Sequence, residues 1–173
     1  MKTTPDFSTL PAFYQKYVEY VQHMDVLDAL QSSVDLSTAL VLTIPEQRGT
    51  YAYAAGKWTI KEVLCHMMDA ERIFAYRALR FARNDSTNLH GFEENDYAPQ
   101  ANAHGRTLNQ LVNEMKNLRA TSLDLFGSFT PEMMQRKGTA NNKLISVINL
   151  GYCIAGHDNH HRKILVERYL SHP

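Results

Sequence analysis

The sequence predicts an all-α protein: an antiparallel four-helix bundle with a short extra helix at its N-terminus. Three observations carry this. Segments with apolar residues at spacings of three and four recur between turn signals at Pro11, 45–56, 84–105 and 128–142. No segment shows sustained two-residue alternation, so no strand is expected. The chain has 173 residues, read as one domain over 1–173 with its core over about 25–170. At that length it can bury roughly two-thirds of its unfolded surface without a disulfide or a structural metal.

Pro11 suits the first position of a short helix reaching about residue 21. A longer helix is expected over 25–43, where Val26, Leu27, Leu30, Val34, Leu40 and Val41 recur and Pro45 closes the run. Residues 50–56, rich in Tyr and Ala, read as an irregular loop. The third helix starts at Thr59, which forms a capping box with Glu62, and no Pro or Gly interrupts it up to Arg83. A fourth is expected over 107–126, with Leu108, Leu111, Met115, Leu118 and Leu125 on its inner face, and a last one over 144–170. The loop 84–105 is 22 residues long, longer than a plain connection, and loops of that length in compact domains are usually functional lids or binding segments.

Composition excludes several classes of function. Eighteen basic and 18 acidic residues give no net charge, which argues against a nucleic-acid surface or an anionic membrane as partner. No run approaches the ~20 apolar residues of a membrane span. The first residues, Met1 to Asp6, lack the apolar core of a secretory signal. The two cysteines, Cys65 and Cys153, fit free thiols in a cytoplasmic protein.

The last helix carries the chemistry. Its inward stripe is Val147, Leu150, Ile154, His157, His161 and Ile164, apolar before the histidine pair and after it. Residues four apart on a helix have side-chain origins about 5–6 Å apart, so both rings can grip one metal ion at ~2.0–2.1 Å per nitrogen. A buried polar ring without a partner costs roughly 1–3 kcal/mol, and a shared ion satisfies one nitrogen on each. The other nitrogen then needs an acceptor nearby. The third helix repeats the pattern: Thr59, Val63, His66, Ala70, Ile73 and Arg77 form a seam with one histidine in it. Asp69, one turn along, is read as an acceptor orienting His66 or as an extra ligand. Three histidines leave open positions on the ion, the mark of a catalytic rather than a structural site.

A bare His-x-x-x-His is weak evidence by itself; core placement of three histidines on two helices is what strengthens it. His160 adjoins the pair but lies off the stripe's centre, which suits solvent exposure or support of a ligand. His23, His90, His104 and His172 read as surface residues. Cys153, four residues before His157, is a candidate thiolate ligand, although a small buried apolar residue is the simpler reading. Cys65 reads as core packing. Glu93, Glu94, Asp96 and Glu114 read as solvated, but Asp96 and Tyr97 in the lid loop are also candidates to touch substrate. Arg72, Arg77 and Arg80 line either a pocket mouth or a solvated face. The chain has no glycine-rich phosphate loop, no Cys-x-x-Cys and no Gly-x-Ser-x-Gly elbow. It also lacks the Glu-x-x-His motif of carboxylate di-metal bundles.

Two segments, Trp58 to His66 with Asp69 to Arg77, and Ile154 to His161, resemble the signature of the DinB-like family, also called DinB/YfiT-like. The loop Gly91 to Tyr97 resembles that of a widespread bacterial branch. The resemblance covers about 25–170 and implies a four-helix bundle with three metal-binding histidines, which fall on His66, His157 and His161. It also implies a nickel, zinc or similar divalent ion. Some members are S-transferases using a low-molecular-weight thiol, others are labelled metal-dependent hydrolases, and homodimers are common. His90 stands where the family has proline and Asp158 where it has glutamate; neither change removes a ligand.

The expected function is therefore that of a metal-dependent enzyme acting on a small molecule, with a thiol or water as the activated nucleophile. The competing reading is a non-catalytic metal- or ligand-binding stress protein. It predicts a coordination sphere closed by Cys153, His160 or a carboxylate, and no substrate pocket.

Overall fold

The structure, a computed structural model, describes residues 3–171, so His172 lies outside it. The helices are α1 (Ala12–Val18), α2 (Val26–Leu42), α3 (Ile60–Ala82), α4 (Glu94–Tyr97), α5 (Leu108–Gly127), α6 (Pro131–Gln135) and α7 (Val147–Ile164). Polar caps set their starts. Asp25 accepts from the Leu27 amide, Ser146 from that of Asn149, and Thr59–Glu62 and Thr107–Gln110 form complete capping boxes. Helix α3 stops at Arg83, and Asn84 turns the chain away with φ of 61°.

Helices α2, α5, α3 and α7 form the bundle in that ring order, so the successive helices α2 and α3 stand diagonally opposite. The pairs run in a definite sense. The start of α2 meets the start of α7, where Val26 would touch any side chain added at Gly151. Their far ends meet again, where Arg48 donates to the Tyr169 carbonyl at 2.5 Å. Likewise α3 and α5 run together, from Arg106 against Cys65 to Arg83 over the Phe129 ring. The two pairs are antiparallel to each other: Glu46 after α2 accepts from the Leu108 amide at the start of α5, and Tyr169 near the chain's end donates to the Trp58 carbonyl before α3. The predicted extra helix, α1, lies across α7. It can approach so closely because residue 156 is glycine: a Cβ there would overlap the Tyr17 carbonyl.

The expectation of no strands is corrected. Lys137–Ala140 (β1) and Lys143–Ser146 (β2) pair antiparallel, so the last helix begins at Val147 rather than 144. Asn141 and Asn142 both have positive φ, 48° and 58°, which makes a two-residue turn matched to strand twist. Four-residue strands are too short to display alternation; the Asn-Asn pair was the available signal. At its other end α7 continues into a π-helical turn, Leu165–Leu170.

The long loop is fastened at both ends. Leu89 exchanges backbone hydrogen bonds with Thr139 and Asn141 of the hairpin, and Arg77 donates to the His90 carbonyl at 2.9 Å. Beyond α4, Ala98 and Ala103 are buried and Arg106 reaches Glu114 and Cys65. The apolar core falls into two clusters, one around Leu30, Phe81, Phe126 and Leu150, the other around Ile60, Leu64, Leu111 and Leu165. Between them lies a polar layer that holds the histidines and a group of buried charges, in which Arg119 donates to Glu71 at 2.9 and 3.0 Å and to Asp158 at 3.2 Å.

Candidate metal centre

Helix α7 presents His157 and His161 one turn apart, and α3 presents His66 opposite them. The Nε2 of His157 lies 3.1 Å from that of His66 and 3.0 Å from that of His161. The three candidate ligand nitrogens all lie within 4.8 Å of one another. Nitrogens at ~2.0–2.1 Å from one tetrahedral ion stand about 3.3 Å apart, so the two pairs that share His157 are already near the spacing an ion imposes.

Burial sets the protonation state. His66 is pushed down to about 4 by desolvation. His157 and His161 fall well below their usual range, first by burial and then by the neighbouring imidazoles. All three are neutral at pH 7, with lone pairs free to bind a cation. The sign of the pH dependence follows. The unfolded chain takes up protons near the ordinary value of 6.5, before the folded triad does, so metal-free protein should lose stability as pH falls from 6.5 towards 4. Asp158, raised to about 6 by burial, acts in the opposite sense, as do Asp69 and Glu94, against the three triad histidines and His160. Thermal melts of metal-free protein at pH 7 and pH 5 should show the loss, and His66→Gln should flatten it; a parent protein equally stable at both pH values would contradict this electrostatic account.

The triad opens on a cavity of about 230 Å3. Tyr14 and Tyr17 of α1, Phe74 of α3, and Phe92 and Glu94 of the lid loop wall it. The Tyr17 ring meets His157 edge-on at 5.4 Å, and Trp58 lies 4.7 Å from the His66 ring. A second cavity of about 250 Å3 lies beyond Trp58 and His161, against Tyr53 and Tyr169.

The other expected residues fall in different places. Asp69 pairs with Arg72 at 3.4 Å and makes no hydrogen bond to His66; three residues on, it leans towards α5, beside Arg106 and Glu114. Glu114 bridges Arg72 and Arg106 at 2.6 Å each rather than standing free in solvent. His160 is half-buried with its ring 4.9 Å from that of Tyr17. Asp96 and Tyr97 are exposed, Tyr97 against the Phe92 ring, and neither lines the cavity. The lid-loop carboxylate that does is Glu94, which is exposed at the cavity mouth and whose acidity is weakened by partial desolvation and then by Glu93. The charge run hid its place at the cavity, because four neighbouring polar residues carry no signal of which one borders a pocket. Cys153 is wholly enclosed in the apolar core and its thiol is pushed far up, so it is packing and no ligand. Cys65, pushed up to about 11, is likewise buried. His104 is exposed but its Nε2 sits 3.1 Å from the Thr59 hydroxyl, tying the loop to the cap of α3. His23 and His90 are exposed.

The model of the DinB superfamily matches residues 29–165, which include three bundle helices whole, α2 from its second turn, and all three histidines. The chain belongs to the DinB superfamily. Among solved structures, this DinB chain is similar to YfiT from Bacillus subtilis, described as a probable metal-dependent hydrolase with an unusual four-helix bundle topology. The TM-score is 0.71 at 15% identity, over 96% of this chain and 91% of that one. That likeness shows the shared DinB fold. No curated protein sequence matches the chain. No helix is long and apolar enough to cross a membrane among the described residues.

Proposed function

We propose that this DinB protein is a metal-dependent enzyme, hydrolase- or S-transferase-like, acting on a small electrophile. The observation that carries the reading is the convergence of three neutral imidazoles on the wall of an open cavity. His66, His157 and His161 would hold one divalent ion, with zinc and nickel as the candidates their imidazoles suit. Bound there, the ion supplies Lewis-acid activation of a water or a low-molecular-weight thiol. Phe74, Phe92 and Tyr14 pack the apolar part of the substrate and exclude bulk water. The Glu94 carboxylate at the cavity mouth, its acidity weakened by partial desolvation, would take up the proton that the nucleophile gives away. Tyr17, pushed up to about 12, stays protonated and is a donor rather than a base. The description of YfiT as a probable metal-dependent hydrolase supports the same class of chemistry. The open cavity, with Cys153 buried in the core, disfavours a closed, non-catalytic sphere.

Elemental analysis of untagged protein tests this directly. About one metal per chain is expected, lost from His157→Ala and from His66→Ala while both variants stay helical. A parent protein that takes up neither zinc nor nickel would end the enzyme reading.

A further inference from the structure

The triad borders two cavities. Trp58 and His161 line both, so the indole stands as a partition with His161 at its edge. The partition is held from its backbone. The Tyr169 hydroxyl donates to the Trp58 carbonyl at 2.7 Å, and the next residue, Thr59, is locked into the cap of α3. Helix α4 reaches both cavities: Glu94 borders the first, and the neighbouring Asn95 borders the second.

The two lobes differ in chemistry. The first is walled by Tyr14, Tyr17, Phe74 and Phe92, and its one carboxylate is that of Glu94. The second is walled by the rings of Tyr53 and Tyr169, which meet edge-on at 4.9 Å, and by Val63 and Ile164. Its one charged residue, among the described residues, is Lys57. Lys57 is exposed and makes no ion pair there, unlike Lys61, Lys137 and Lys163, which are paired elsewhere. The acidic residues nearest this lobe are engaged: Glu62 accepts from the Thr59 amide and hydroxyl, and Glu93 accepts from the amide and side chain of Asn95. Arg168 lies over the Tyr53 ring at 5.7 Å, a second cation on the adjoining surface.

We propose that the second lobe is a subsite for a small organic carboxylate, with its apolar body against Tyr53 and Tyr169 and its charge on the Lys57 ammonium. One ammonium balances a monoanion, whereas a phosphate monoester carries nearly two charges and draws a cluster of cations. A molecule filling this lobe touches His161 and leaves the aromatic lobe open. A second reactant therefore meets it at the triad from the other side of Trp58. The place of the subsite in a reaction rests on the function proposed above; its preference for a carboxylate does not.

Trp58 is the only tryptophan in the chain, so its fluorescence reports on both lobes. The test titrates 3-phenylpropionate and its uncharged amide into the full chain after chelation, so that no metal ion holds the carboxylate. The carboxylate should bind about 3–5-fold more tightly than the amide, which is what one exposed ion pair supplies. Lys57→Met should abolish that preference and Lys57→Arg should keep it. Asn95→Asp, which sets a negative charge in the same lobe, should weaken the carboxylate and leave the amide unchanged. Both positions are exposed, so the variants should stay folded, which circular dichroism checks. Equal affinity of the parent for the two probes, or a preference that survives Lys57→Met, would overturn the proposal. So would a fluorescence that neither probe changes up to about 10 mM, the weak limit for fragments of this size. A parent that takes up no metal yet shows the preference would end the enzyme reading and leave the subsite standing.

Discussion

Arg119→Met is expected to destabilise the fold by about 3–5 kcal/mol at pH 7, because it strands two buried carboxylates without their counter-charge. Glu71 and Asp158 have side chains 8% and 5% exposed, so water cannot screen them. For a chain of this length the loss corresponds to a fall in Tm of roughly 2–4 °C per kcal/mol. Acid should narrow the deficit. Asp158 is already raised to about 6 with Arg119 in place, and removing the guanidinium raises it further, so protonation below that pH removes one of the two stranded charges. The triple change Glu71→Gln, Arg119→Met, Asp158→Asn removes every charge and should recover much of the stability. Chemical denaturation at pH 7 and pH 5 measures all of this. A single variant within about 1 kcal/mol of the parent at pH 7 would show that the cluster is not the buried ion network described here.

The second large effect is expected at Gly156. Replacing a mid-helix glycine by alanine ordinarily stabilises by roughly 0.8–1 kcal/mol. Here the added methyl would overlap the Tyr17 backbone, which cannot rotate aside as a side chain can. Overpacking against a rigid partner costs about 1–3 kcal/mol and more when the backbone must shift, so the sign should reverse. The consequence reaches the site, because α1 carries Tyr14 and Tyr17 and would be pushed off α7. Gly127→Ala is the control: nothing lies within 4 Å of the added carbon, and that variant should be neutral or slightly stabilised. Paired thermal melts decide it; a Gly156→Ala protein at least as stable as the parent would refute the tight crossing.

Much of this molecule was legible in the sequence for one physical reason: periodicity reports which side of a helix faces inward. The stripe through Val147, Leu150, Ile154, His157 and His161 is buried along its length, as is His66 on α3. The Thr59–Glu62 box marked the start of α3 because a cap is a local, sequence-encoded bond. What escaped depended on partners distant in the chain. Glu71, Arg119 and Asp158 carry no signal in the sequence, since nothing local reveals that 39 and 48 positions away each meets its counterpart. Asp69 was preferred as the carboxylate beside His66, whereas the buried one on that helix is Glu71. The hairpin leaves little trace in the sequence, because its strands are four residues each and its Asn-Asn turn sits within a longer run of turn-forming residues. Glu94 could be told from Glu93 only by the path of a loop tied down elsewhere.

That tethering leaves the chain one stretch that can vary in length at little expense. Leu89 and His90 are bound to the hairpin and to Arg77, and the segment from Ala98 onward is seated against α3 and α5. A residue added or lost within 91–97 lengthens or shortens a short bow between two fixed knots, and with it the setting of Phe92 and Glu94. The same change on either side would slide a knot and tug on the hairpin or on the cap of α3. Insertions among natural variants of this chain should therefore gather inside the bow, where the mouth of the cavity can be redrawn while the histidines stay where the helices put them.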